Sequence, residues 1–145
     1  MRLSDQRQFE AALADFNKAI ELNPTNAPAY NNRGWTEFLK GDFHSSIDDA
    51  THAIQLNPND GIPYGTRGWA RYSQGDNAGA IEDCTKATQL EKSGSAPFLG
   101  DQGLLDFIAK NYEKAVADWQ KAIQQDPNFK QELEPWIEKA QAKLK

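Results

Sequence analysis

The sequence predicts an all-α chain, a solenoid of antiparallel helix pairs forming one domain. Three observations carry this. Landmarks recur at a spacing of 34 residues: Leu22-Asn23-Pro24 returns as Leu56-Asn57-Pro58, Arg33-Gly34-Trp35 as Arg67-Gly68-Trp69, and Gly41-Asp42 as Gly75-Asp76. A fixed period of this length marks stacked supersecondary units. Apolar residues fall at helical offsets within each unit, and helix-stopping residues separate the runs.

The second half of each unit repeats one apolar face. Phe9, Ala12, Leu13, Phe16, Ala19 and Ile20 set the offsets 0, 3, 4, 7, 10 and 11. The series starting at Phe43, Asn77 and Tyr112 keep them, as a helix face requires. The last series starts 35 residues after the third, which implies one inserted residue near 91–95, where Lys92 also stands in place of a proline. The first half of each unit opens on Asn26, Asp60 or Ser95, good N-caps, with Pro28, Pro63 or Pro97 in the first turn. Gly41 and Gly75 supply the left-handed residue that ends these helices. Asn-Pro at 23–24 and 57–58 and Asp-Pro at 126–127 stop the second helices. The expected pairs are Ala27–Lys40 with Phe43–Leu56, Ile62–Gln74 with Asn77–Leu90, and Ala96–Ala109 with Tyr112–Gln125.

Both ends depart from this plan. The first unit keeps a second helix, about Gln8–Leu22, but has only Met1–Gln6 where a first helix belongs. Either the chain is a fragment of a longer repeat protein, or the face of Phe9, Leu13, Phe16 and Ile20 is expected to meet a partner, with self-association through it as one reading. At the other end, Leu133, Trp136, Ile137, Ala140 and Leu144 form one stripe, which reads as a capping helix over about Pro135–Lys143 with Pro135 in its first turn. The expected units are 1–26, 27–60, 61–95, 96–129 and a cap at 130–145.

The 145 residues carry a formal charge of −5 with basic residues scattered among acids, which argues against a nucleic-acid partner. Apolar runs are too short to span a membrane, and the N-terminus has no signal-peptide core. One cysteine, Cys84, allows no internal disulfide. A cytoplasmic location is the expectation.

Tyr30…Gly34…Gly41-Asp42-Phe43…Ile47…Ala53…Pro58 resembles a tetratricopeptide repeat, as does Tyr64…Gly68…Gly75-Asp76…Ala80-Ile81…Ala87. Leu99…Gly103…Asn111-Tyr112…Ala115-Val116…Ala122…Pro127 is similar but degenerate. The resemblance implies a right-handed superhelix of about three and a half units. It also implies a concave groove, lined by the first helix of each pair, that binds a peptide or protein segment without catalysis. Some members clamp acidic chaperone tails with Lys, Arg and Asn. The slots implied here hold Asn31, Trp35, Thr66, Pro97 and Asp101, and none matches. One unit earlier Asn32 matches, but Ile62 and Thr66 replace the basic pair. The clamp is not expected.

Few side chains suggest chemistry. Arg33 and Arg67 precede the packing glycines, and Asp15, Asp49, Asp83 and Asp118 share one slot on the second helices. A basic groove competes with internal pairs Arg33–Asp49 and Arg67–Asp83; the pairs are preferred, because a single catalytic site has no reason to repeat. His44, Asp48 and His52 have metal-compatible spacing, but on an outward face and without further ligands. Cys84 occupies a core slot and lacks an activating base. The remaining Asp and Glu read as solvated faces. No enzyme motif, metal site or cofactor is expected.

The groove itself follows from the helical turn. Gly34 and Gly68 must face the core, and a helix turns about 100° per residue, so Trp35 and Trp69 point a quarter-turn away. By the resemblance that direction is the concave wall. Leu104 takes the equivalent place, giving a ladder of Trp35, Trp69 and Leu104 with Phe38, Tyr72 and Phe107 at its base. Asn31, Asn32, Leu39, Thr66, Ser73, Asp101 and Ile108 complete the expected groove. The competing reading is that the indoles fill gaps between repeats.

Overall fold

The computed structural model describes residues 3–145 as eight α-helices and no strand. They are α1 (Leu3–Leu22), α2 (Ala27–Lys40), α3 (Phe43–Leu56), α4 (Gly61–Ser73), α5 (Asn77–Leu90), α6 (Ala96–Ile108), α7 (Tyr112–Gln125) and α8 (Lys130–Lys143), with a 3-10 turn at Pro127–Phe129 before the last. Each helix packs on its sequence neighbours, and α2, α4 and α6 also touch in turn. That is the contact pattern of a helical-repeat solenoid, with an inner row formed by the first helices. Among the described residues, no helix is long and apolar enough to cross a membrane.

Local chemistry fixes the boundaries. Asn26, Asp42, Asp60, Asp76 and Ser95 each accept a hydrogen bond from a backbone N–H of the following first turn. Gly41 and Gly75 close α2 and α4 at φ 95° and 89°. Asp42 and Asp76 then donate back to the carbonyls of Glu37 and Arg71 at 2.8 and 2.9 Å. In the third repeat Lys110 takes this left-handed position, at φ 65°. The inserted residue is absorbed in the turn before α6, where Gly94 has φ 80° and the Ser95 N–H reaches the Lys92 carbonyl.

Close approach within each pair rests on the glycines. A Cβ on Gly34 would lie 3.2 Å from the Ser46 carbonyl oxygen, and one on Gly68 only 2.7 Å from the Cys84 sulfur. Gly103 faces the Trp119 ring, and the Trp119 indole donates to the Gly100 carbonyl at 3.0 Å.

Two expectations need correction. The cap begins at Lys130, not Pro135, and Pro135 lies inside the helix. The 3-10 turn delivers the chain in helical geometry five residues early. The proline then removes only the bond to the Gln131 carbonyl, on an exposed residue that water can serve. Leu144 lies beyond the helix and is exposed. At the other end, residues from Leu3 onward extend α1; Met1 and Arg2 lie outside the described residues. No residue of α1 is fully buried, and Phe9, Leu13, Phe16 and Ile20 are half-buried.

Candidate functional site

The inner faces of α2, α4 and α6, together with α8, enclose a cleft of about 870 Å³. Asn31, Asn32, Trp35, Phe38, Leu39, Thr66, Trp69, Tyr72, Ser73 and Asp101 all line it. Leu104, Phe107 and Ile108 do not. Leu104 is 0% exposed and joins the core with Trp119, Leu133 and Ile137. Because α8 covers this end of the inner row, the position that is wall at Trp35 is interior at Leu104. Trp69 is intermediate in character: only 4% exposed, it belongs to the core and also borders the cleft.

The aromatic surface takes a different third member from the one expected. Trp35 stacks on Phe38 at 4.9 Å, Phe38 meets Trp69 at 6.3 Å, and Trp69 meets Trp136 edge-on at 5.0 Å. Trp136 also packs on Tyr72, Phe107 and Trp119. So α8 does more than seal the last pair: through Trp136 it supplies one cleft wall. The apolar stripe containing Trp136 was the available sequence signal, but a stripe does not tell a cap from a wall.

The polar lining is acidic. Asp101 on α6 accepts a hydrogen bond from the Trp69 indole at 2.9 Å. It can sit there only because α4 has Gly65, where a Cβ would come within 2.5 Å of its carboxylate. Glu91, after α5, lies against Gly61 of the same α4 face. Burial, then the neighbouring Asp101, push the Glu91 carboxyl up to about 10, and burial pushes Asp101 up to about 6. Glu132 on α8 is raised mainly by burial, which the Trp35 indole partly offsets as a donor. The expectation that all remaining acids are solvated is therefore wrong at Glu91, Asp101 and Glu132, which the superhelix brings to one place from three elements.

Neither arginine of the repeating series lines the cleft. Arg33 binds both Asp49 oxygens at 2.6 and 2.7 Å, and Arg67 both Asp83 oxygens at 2.8 and 2.9 Å. Each also reaches back to the preceding repeat, Arg33 to Asn17 and Arg67 to Thr51. These are the predicted internal pairs, partly open to solvent. His44 faces Asp48 at 3.5 Å in the open, while His52 stacks on Tyr30 at 4.1 Å. Cys84 is fully buried, and burial pushes its thiol up.

Family models agree with this architecture. One described as "TPR repeat" matches residues 3–41, and one described as "Tetratricopeptide repeat" matches residues 27–60. Residues 3–60 carry tetratricopeptide repeats, and the chain as a whole has the helical-repeat fold. No curated protein matches the sequence significantly. Solved structures share the tetratricopeptide fold at low identity. The Cut9–Hcn1 hetero-tetramer of APC/C aligns with TM-score 0.73 and 21% identity over 95% of this chain, which spans only 27% of that one. MamA aligns with TM-score 0.60 and 20% identity, over 99% of this chain and 95% of that one. The first TPR of Spaghetti (RPAP3) bound to the HSP90 peptide SRMEEVD aligns with TM-score 0.59 and 23% identity, over 81% and 94%. The tetratricopeptide repeats support a protein-interaction scaffold.

Proposed function

We propose that this chain binds a peptide or a protein segment in the cleft, without catalysis. The observation carrying this reading is the continuous aromatic surface from Trp35 through Phe38 and Trp69 to Trp136, lining an open space of about 870 Å³. Large aromatic side chains beside unfilled space are the commonest energetic anchors of interfaces. One similar fold was solved with a peptide bound. Peptides selected on the wild-type protein should bind Trp35→Ala more weakly by about 2 kcal/mol, with the helical circular dichroism unchanged. Unaltered affinity in that variant would move the binding surface elsewhere.

A second reading rests on α1, which has no fully buried residue and leaves Leu3 62% exposed. Phe9, Leu13, Phe16 and Ile20 would then join two copies or another chain. Sedimentation at rising concentration should detect a dimer that Phe9→Glu abolishes.

A further inference from the structure

The cleft is rich in acceptors that have no donor. Asn31 is 8% exposed, lines the cleft, and its side-chain oxygen is buried without a hydrogen-bond partner among the described residues. Both carboxyl oxygens of Glu91 and one of Glu132 are in the same condition. Within the described interior, Glu91 and Asp101 can satisfy one another only by sharing a proton. Buried oxygens without donors are destabilising. The cations of the lining are engaged elsewhere: Lys40 is held by Glu10 at 2.5 Å, and Lys139 lies over the Trp136 ring at 4.7 Å. Around the acids stand Trp35, Trp69, Tyr72 and Trp136, ring faces and edges suited to an aliphatic stem ending in a positive charge.

We propose that the bound segment is a basic peptide that anchors itself by inserting a lysine or arginine side chain between the aromatic walls, its nitrogens donating to Asp101 and Glu91. This rests on the peptide-binding reading and sharpens it. A cation there supplies the donors that the oxygens lack and compensates three carboxyls gathered in one cleft. The raised Glu91 and Asp101 carboxyls fit a negative site without its counter-charge. Asp101 replaces Thr66 and Asn32 of the earlier repeats, so the acidic floor belongs to one level of the solenoid and fixes where along the segment the basic residue must fall. An acidic tail entering the same cleft would meet three carboxyls.

The test uses phage-displayed random dodecapeptides, panned in parallel on the wild-type protein and on Gly100→Trp. Gly100 lines the cleft and a Cβ there meets nothing within 4 Å, so the indole should fill the cleft without disturbing the helices. We expect enrichment on wild type alone of sequences sharing one Lys or Arg. A synthetic peptide of that sequence should lose about tenfold or more in affinity when the basic residue becomes norleucine, and a similar factor against Asp101→Asn. Asn keeps an oxygen for the Trp69 indole, so the variant should fold. The norleucine comparison needs no protein variant at all. Enriched peptides without a basic residue, or norleucine binding within twofold, overturn the cationic anchor while leaving the groove reading intact. Equal enrichment on Gly100→Trp, or none on wild type, removes both.

Discussion

The second and third repeats place different charges in the same three slots of one scaffold. In the second, Arg67 and Arg71 both bind Asp83, which is 2% exposed. In the third, Gln102, Asp106 and Asp118 occupy the equivalent places. There two buried carboxyls face each other, each with an oxygen left without a donor, and the nearest cation is Lys114, 3.9 Å from Asp106. Burial and Asp106 push Asp118 up to about 6. Yet helix lengths, the packing glycine and the neighbouring contacts are the same in kind. The pairing of helices is therefore set by Gly68 and Gly103 and by the buried alanines, and the charges tune it. A buried ion pair is weak evidence for stability when its cost of desolvation is counted.

The largest way to break the comparison is Asp83→Ala. It strands two guanidiniums that are only partly solvated, at 16% and 28% side-chain exposure, and should lower unfolding free energy by roughly 3 kcal/mol. Asp118→Ala should cost far less, because no arginine depends on it; equal losses in denaturant titrations would contradict the contrast. Gln102→Arg makes the third repeat resemble the second and should add roughly 1–2 kcal/mol through paired charge-assisted hydrogen bonds. Asp118→Asn probes the same slot through pH. A carboxyl raised in the fold stabilises it fully below the ordinary carboxylate range, and that contribution is lost as pH rises through about 6. The variant should therefore melt higher than wild type at pH 8 and no higher at pH 4. The smallest effect belongs to the turn. Lys110→Gly restores the residue that Gly41 and Gly75 supply and should gain about 1 kcal/mol. A gain from Gly75→Lys would reverse the argument.

Much of the scaffold was legible in sequence, because a period of 34 residues turns every landmark into several readings of the same place. Five of the six paired-helix starts and the Arg33–Asp49 and Arg67–Asp83 pairs follow from it. The candidate site was legible where it repeats and obscure where it does not. Trp35, Phe38 and Tyr72 line the cleft, on the side of the helix that the family resemblance, not the periodicity, implied. Leu104 was misplaced because covering by α8 is tertiary, invisible to a helical-wheel argument. Pro135 concealed where α8 starts, since proline reads most naturally as a first-turn residue. Glu91 stands where Asn23 and Asn57 stand in the earlier units, so the series marked it as a helix stop and not as an acid of the cleft. Its meeting with Asp101 depends on two glycines of a third helix, Gly61 and Gly65, whose missing side chains make the room.

That last arrangement bears on how such a chain can change over time. Repeats are often treated as cassettes, open to duplication and shuffling. Here Asp101 in one unit sits opposite Gly65 in the unit before, where an added Cβ would meet the carboxylate at 2.5 Å and force it to move. A recombinant that put Asn31 of the 27–60 unit at the Gly65 position would drive an amide into the carboxylate. The reverse order of events, losing Asp101 first, would leave that same replacement open. The two positions are thus bound by epistasis, and the order of their substitution decides which histories are passable. In this chain adjoining repeats have stopped being interchangeable parts.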